Sequence, residues 1–263
     1  MFLAIDVGNT QTTLGLFDEE GAFARGWRMS TTAADTSDML HSRLWGFFMK
    51  DGLDLAGVSD AGVASVVPAL ERAWARCLGE LLGHAPLVVC AGDACDMRID
   101  MPNPRQVGAD RIANAIAARE TYGAPVIVVD FGTATNIDVV DATGAYRGGA
   151  ISPGLMLSAN ALFSRAAKLA SIPIEAPGRA LGDSTESALQ SGLVIGAAAQ
   201  AEGLVARIQA ELGEPRATVV GTGGLARTVS QATDLFDAVD ADLTLRGIRG
   251  IWLWRQRSQE GDA

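Results

Sequence analysis

FLAIDVGNTQTTLGLF, residues 2–17, reads as a strand, a tight turn and a returning strand. Phe2, Leu3, Ala4 and Ile5 form an apolar run of the kind a buried strand carries. Asp6 ends the run. Gly8, Asn9 and Thr10 then form a turn whose backbone N–H groups and hydroxyls can face one point. Leu14, Leu16 and Phe17 return as the second strand of a hairpin. A carboxylate at a strand end beside such a turn suits a hydrated Mg²⁺ and polyphosphate oxygens, because Mg²⁺ keeps most of its waters and takes one or two carboxylates.

The pattern recurs. Residues 128–146 read VVDFGTATNIDVVDATGAY. Adding 124 takes Asp6 to Asp130 and Gly8 to Gly132; after a one-residue deletion, adding 123 takes Asp18 to Asp141, Gly21 to Gly144 and Phe23 to Tyr146. Asp-x-Gly is common enough for two unrelated strand-turn-strand units. The match continues past the turn, however, and so points to two similar half-molecules, each opening with a phosphate-facing turn.

A chain of 263 residues fits one large domain or two of ordinary size. Hydrophobic residues at 48% and charged ones at 20% are the proportions of a soluble globular protein. No apolar run is long enough to span a bilayer, and the first residues enter a strand without a basic leader, so no membrane segment or signal peptide is expected. The three cysteines, Cys77, Cys90 and Cys95, are odd in number and lack zinc spacing, which suits free thiols in a reducing cytoplasm. A net charge of −10 argues against a nucleic-acid surface. It does not oppose ATP, since backbone amides and a metal can supply the local positive field. Neither lysine, Lys50 or Lys168, follows a glycine, which excludes a Walker-type loop.

Downstream, residues 26–29 suggest a third strand. Asp35 or Thr36 can cap a helix to Lys50 with Met39, Leu40, Leu44, Phe47 and Phe48 on its apolar face. A short buried strand over 62–67 leads to Pro68 at a helix start, and that helix runs to Leu82 with Leu70, Trp74, Leu78 and Leu81 inward. His84 reads as a surface residue, and 87–90 as a strand. In NPRQVGADRIANAIAAR, residues 103–119, Asp110 caps or opens a helix, where free N–H groups and the positive dipole end meet. Asp110 and Arg111 are there either an ordinary cap with a surface arginine or a pair suited to a polar ligand. A strand over 148–154 and a helix over 155–167 follow the second hairpin. Residues 171–183 lack periodicity and suggest a ligand-covering loop. Residues 184–212 are mainly helical. GTGG at 221–224 forms a turn that permits close approach of a flat ligand such as adenine or ribose, or is merely tight. The final helix spans 243–256, with Leu245, Ile248, Ile251 and Trp252 inward and a frayed tail from Ser258.

Eight stretches, taken in order, resemble the type III pantothenate kinases of the acetate and sugar kinase/Hsc70/actin superfamily. They are DVGNT (Asp6–Thr10), ASVVP (Ala64–Pro68), NPRQVGADR (Asn103–Arg111), DFGTAT (Asp130–Thr135), GGAISPG (Gly148–Gly154), STESALQSG (Ser184–Gly192), TGGLA (Thr222–Ala226) and LTLRG (Leu243–Gly247). The resemblance implies an α/β fold of two actin-like, ribonuclease H-like domains with mixed five-stranded sheets and flanking helices, and an ATP cleft between them. The expected boundary puts residues 1–117 in the first domain and 118–263 in the second, with the last helix free to pack back on the first.

The implied activity is ATP-dependent phosphorylation of pantothenate to 4′-phosphopantothenate, the first step of coenzyme A biosynthesis. By the same resemblance Asp6, Val7, Gly8, Asn9, Thr10, Gln11, Thr12 and Thr13 bind ATP, with Asp6 towards Mg²⁺ through the phosphates. Thr133 is the second phosphate contact, and Asp130 a ligand of a monovalent cation, K⁺ or NH₄⁺. Gly108, Ala109, Asp110 and Arg111 form the pantothenate site, Asp110 taking the hydroxyl proton and Arg111 pairing with polar groups of the substrate. Thr185 reaches the substrate too. Met101 stands where many members carry a tyrosine against it. A cytoplasmic homodimer is expected, with no nucleic-acid or membrane partner. Two further readings are another small-molecule kinase or phosphatase on the same scaffold and a non-catalytic nucleotide sensor; intact Asp6, Asp110 and Asp130 speak against the sensor.

Overall fold

The structure, a computed structural model, describes residues 1–90, 96–165, 171–213 and 216–261. In chain order its elements are β1 (Phe2–Val7), β2 (Gln11–Phe17), β3 (Phe23–Ser30), α1 (Ser37–Lys50), β4 (Asp60–Ser65), α2 (Pro68–Leu82), β5 (Leu87–Val88) and α3 (Ala109–Tyr122). Then follow β6 (Val126–Phe131), β7 (Ala134–Val140), β8 (Tyr146–Pro153), α4 (Leu155–Arg165), α5 (Thr185–Gln190), a π-helical turn (Ser191–Ile195), α6 (Gly196–Leu212), β9 (Thr218–Thr222), α7 (Ala226–Ser230), β10 (Ala238–Val239) and α8 (Leu243–Gly261). The chain divides into two compact units. Met1–Met97, Pro102–Ala117 and Asp242–Ala263 form the first; Arg98–Met101 and Ala118–Ala241 form the second. The last helix thus belongs to the first unit, and Met101 to the second.

In the first unit the strand order is β3-β2-β1-β4-β5. β1 runs antiparallel to β2 and parallel to β4. Its continuous apolar run is explained by cover on both faces. Leu3, Ile5 and Val7 join Leu40, Leu44 and Phe48 of α1 and Leu70, Trp74 and Leu78 of α2 in one core. On the opposite face Phe2 meets Trp252 of α8, ring centroids 4.7 Å apart. Full burial of one such Leu or Phe side chain stabilises the fold by roughly 1.5–3 kcal/mol. Thr36 caps α1, accepting the Met39 N–H. The neighbouring Asp35 instead makes a two-pronged ion pair with Arg43 (2.6 and 2.9 Å) and ties the approach segment to the helix.

The second unit repeats the plan, with order β8-β7-β6-β9-β10. The likeness extends to register. Phe2 pairs with Phe17 and Val126 with Val140; a bulge follows Leu16 in one sheet and Val139 in the other. Both hairpin turns close through an aspartate. Ala22 N–H donates to Asp18 Oδ1 and Ala145 N–H to Asp141 Oδ1, with Gly21 and Gly144 at positive φ. Two similar halves are thus present in backbone as well as in sequence.

Several local expectations change. Met39 is 49% exposed and lies outside the α1 core, as do Trp45 and Met49. The strand ending in ASVVP stops at Ser65, and β5 shrinks to two residues. α8 continues through Ser258 to Gly261, because an exposed polar run extends a helix as readily as it frays one. Cys77 is buried and Cys90 exposed, both as free thiols. Cys95 lies outside the described residues.

Candidate active site: two acidic turns and a partly buried aspartate

The first turn is a closed loop held from within. Gly8 N–H donates to the Gln11 carbonyl (3.0 Å). Thr31, just past β3, clamps the loop twice: its N–H donates to the Thr10 carbonyl (2.9 Å) and its hydroxyl to the Gly8 carbonyl (2.8 Å). The fully buried Thr12 completes the clamp, its hydroxyl 2.9 Å from that of Thr31. Val7 is buried as well. Asn9, Thr10 and Gln11 are exposed at the tip, and Asp6 and Thr13 are partly covered at its base. Of the eight expected phosphate-binding residues, Val7 and Thr12 therefore shape the turn from inside, while the other six border its surface.

Asp110 sits in the first turn of α3, whose Ile112 N–H donates back to the Gly108 carbonyl (3.2 Å). It is one residue past the helix start and is not the N-cap. Its Oδ1 instead accepts the Arg111 N–H (2.8 Å). Burial pushes the Asp110 carboxyl above its ordinary value, and the Arg111 amide and charge only partly offset this. Gly108 packs against Val66, 3.7 Å from a Cβ placed there, and Val66 N–H donates to the Val7 carbonyl (3.1 Å). Within one unit, therefore, the helix start bearing Asp110 and Arg111 abuts the strand end that opens the first turn. α3 is held in turn by α8. A Cβ at Gly247 would overlap the Ala113 carbonyl, and Thr244 donates to Asn114 Oδ1 (2.7 Å), Asn114 being fully buried.

The second turn is one residue shorter. Gly132 N–H donates to the Ala134 carbonyl (3.0 Å), and Gly154, just past β8, donates to the Thr133 carbonyl (3.1 Å). Gly154 occupies the place of Thr31. A Cβ there would lie 2.5 Å from the Gly132 carbonyl oxygen and overlap that of Thr133, so this clamp works through backbone alone. Gly132 and Thr133 are exposed, and Asp130 is partly covered. The GTGG turn folds onto them: Gly223, at φ 90°, lies against Asp130 and Phe131, and Leu225 N–H reaches the Phe131 carbonyl (3.4 Å).

A sequence model described as type III pantothenate kinase matches residues 2–207. The chain belongs to that family. It is 43% identical to the type III pantothenate kinase of Moorella thermoacetica over 252 residues, 96% of this chain and 98% of that one. Its fold is similar to that of the activator of 2-hydroxyisocaproyl-CoA dehydratase from Clostridium difficile with bound ADPNP, at a TM-score of 0.58 and 12% identity over 99% of this chain and 97% of that one. It is similar also to the inorganic polyphosphate/ATP-glucomannokinase of an Arthrobacter strain, at 0.52 and 17% over 96% and 98%. These likenesses show a shared fold, in agreement with the two mixed five-stranded sheets.

The remaining expected residues of this pantothenate kinase chain lie in the second unit. The Met101 sulfur sits over Gly148 of β8, 3.6 Å from a Cβ placed there, so the thioether fills a gap at the strand edge. Thr185 is exposed at the first position of α5, behind a capping box of Ser184 and Ser187. Among the described residues no cluster of three or more His, Cys, Asp or Glu side chains is arranged to hold a metal ion. Single carboxylates at Asp6 and Asp130 fit ions that draw their other ligands from water, phosphate and carbonyl oxygens. An added Cβ at Gly223 would overlap Asp130 Oδ1 and crowd the Phe131 backbone, so the turn packs directly against this carboxylate. Sequence reading gives no role to Thr31, Val66 or Gly154, although Val66 lies in ASVVP and Gly154 in GGAISPG. For Thr31 the signal is the repeat, which aligns it with Gly154.

Proposed function

We propose that this chain transfers the γ-phosphoryl group of ATP to the 4′-hydroxyl of pantothenate. The observation that carries the reading is the abutment of the Asp110 helix start on the end of β1 through Gly108, Val66 and Val7. That proximity of Asp110 to the first turn is what supports the reading. Gly8, Asn9, Thr10, Gln11 and Thr13 take the phosphates, with Thr133 as the second phosphate contact. Asp110 accepts the hydroxyl proton as the substrate oxygen bonds to the γ-phosphorus and the bond to the β–γ bridging oxygen breaks, releasing ADP. Its raised proton affinity makes it a better base, provided it stays ionised at the working pH. Arg111, with its planar fork, binds the carboxylate or polar groups of pantothenate. Gly108 and Ala109 shape that site, Thr185 reaches the same substrate, and Met101 contributes apolar surface.

Asp6 would hold Mg²⁺ through its waters and Asp130 a monovalent cation, K⁺ or NH₄⁺; bound there, the ions neutralise phosphate charge. No helix among the described residues is long and apolar enough to cross a membrane. The chain acts as a homodimer through its second unit. Ile151 of β8 and Met156, Leu157 and Leu162 of α4 expose apolar surface there, the kind a second copy covers. Sedimentation should give twice the chain mass. The deciding assay is ADP release by the full chain with ATP and Mg²⁺ across a panel of alcohols. Release that rises with pantothenate and not with sugars supports the reading. Preference for a sugar overturns it.

A further inference from the structure

None of the expected ATP, pantothenate or cation contacts falls in LTLRG, residues 243–247, where α8 begins. This end of α8 faces two ways. Leu245 and Ile248 are buried against the first sheet. A Cβ at Gly15 of β2 would lie 2.8 Å from Leu245 Cδ1, and one at Gly62 of β4 would lie 2.7 Å from Ile248 Cγ2, so two strand glycines make room for them. Thr244 and Gly247 face α3 instead. The Thr244 hydroxyl donates to Asn114 Oδ1 (2.7 Å). A Cβ at Gly247 would overlap the Ala113 carbonyl and lie 2.8 Å from Ala113 Cα, so the two helices meet backbone to backbone. Ala113 and Asn114 stand one turn beyond Asp110, on the same side of the helix. β2 and β4 are the two strands that flank β1. The start of α8 therefore grips, on one side, the strands around the β1 end that opens the first turn. On the other side it grips the helix that carries Asp110.

We infer that Thr244 and Gly247 of LTLRG are positioning residues for Asp110: they set where the first turn of α3 stands against the strands that open the first acidic turn. The inference rests on Asp110 being the proton acceptor. One helical turn, about 5.4 Å of axis, separates the grip from the carboxylate, so a shift at Ala113 and Asn114 is passed on to it. A methyl at 247 must part the two backbones by about 1 Å, and a misplacement of that size can cost about 10²-fold in rate.

The test is steady-state phosphorylation of pantothenate by the full chain, with each variant's thermal unfolding measured and its kinetics read well below the midpoint. Thr244→Val keeps the side-chain shape and removes the hydroxyl. It should lower kcat about tenfold while KM for ATP stays within about twofold of the parental value. Thr244→Ser, which keeps the hydroxyl, should restore kcat. Gly247→Ala should lower kcat about 10²-fold. Leu78→Ala, in the core behind α2, should lower the unfolding temperature at least as far as Thr244→Val yet leave kcat parental. In the Asp110→Asn background Thr244→Val should lower kcat no further. Parental kcat in Thr244→Val, or the same loss with and without the Asp110 carboxylate, overturns the positioning role. So does a Leu78→Ala variant that loses kcat as Thr244→Val does, since the effect would then be one of stability alone. Near-parental turnover in Asp110→Asn overturns instead the proton-acceptor reading on which the inference rests. Should Gly247→Ala fail to fold, Thr244→Val and its serine rescue decide the matter by the same outcomes.

Discussion

The two halves share strands, bulges and a closing aspartate, yet build their acidic turns differently. The first turn has four residues between the paired Val7 and Thr12; the second has three between Phe131 and Thr135. The first is clamped by side chains, through Thr31 and Thr12, and displays Asn9, Thr10 and Gln11. The second is clamped by backbone, through Gly154, and is overlain by Gly223. Hydroxyl clamps leave a tip rich in polar groups, which suits a charged, variable ligand such as a triphosphate. Close glycine packing fixes one carboxylate in one place, which suits a single ion. The comparison teaches that a repeated backbone allows a division of labour once the clamp residues diverge.

The largest expected effect falls on Asp110, in the first turn of α3. Asp110→Asn should lower kcat by about 10²–10⁴-fold. Because burial raises this carboxyl's pKa, its contribution to stability is present below the ordinary carboxylate range and is lost as pH rises through the raised value. The neutral amide should therefore unfold at no lower a temperature than the parent at neutral pH. In the parent, kcat/KM for pantothenate should fall on the acid side at a pH above that of an ordinary aspartate.

Next is the hairpin pair. Asp141 would be raised by its burial, but bonds from Thr143, Arg147 and the Ala145 and Thr143 amides outweigh this and hold it down to about 2. Its stabilisation is present above the ordinary carboxylate range and lost as pH falls towards about 2. Asp141→Ala should cost about 2 kcal/mol at neutral pH, read by denaturant unfolding, since it leaves buried donors unpaired. Asp18→Ala, at the same place in the first half with an exposed bond, should cost under about 1 kcal/mol. Equal losses would break the contrast between the halves. The smallest effect is that of Thr31→Val, which removes two hydroxyl bonds from the first turn. It should raise KM for ATP several-fold with kcat little changed.

Much of this was legible in the sequence. The repeat could be read because apolar strand runs, Asp-x-Gly and the turn glycines Gly21 and Gly144 are all local signals. The Asp110 stretch was legible as a helix start, but not its geometry: whether an aspartate caps or sits inside the first turn depends on where Gly108 and Val66 meet. Periodicity marked a stripe on α1 but could not say which edge stays uncovered, hence Met39. The π-turn at Ser191–Ile195 widens the helix to i→i+5 bonding over five residues only, too short a stretch to change a readable periodicity. The membership of α8 in the first unit was left open, because packing between the chain's two ends is not written in either end alone.

Division of labour between the turns is tested most directly by ADP release with pantothenate in KCl and in NaCl for the parent, Asp6→Asn and Asp130→Asn. The account predicts that the parent is faster in KCl and that Asp6→Asn is slow in both salts. Asp130→Asn should run at one reduced rate regardless of the ion. An Asp130→Asn variant that still prefers K⁺, or an Asp6→Asn variant whose only defect is loss of that preference, would contradict it.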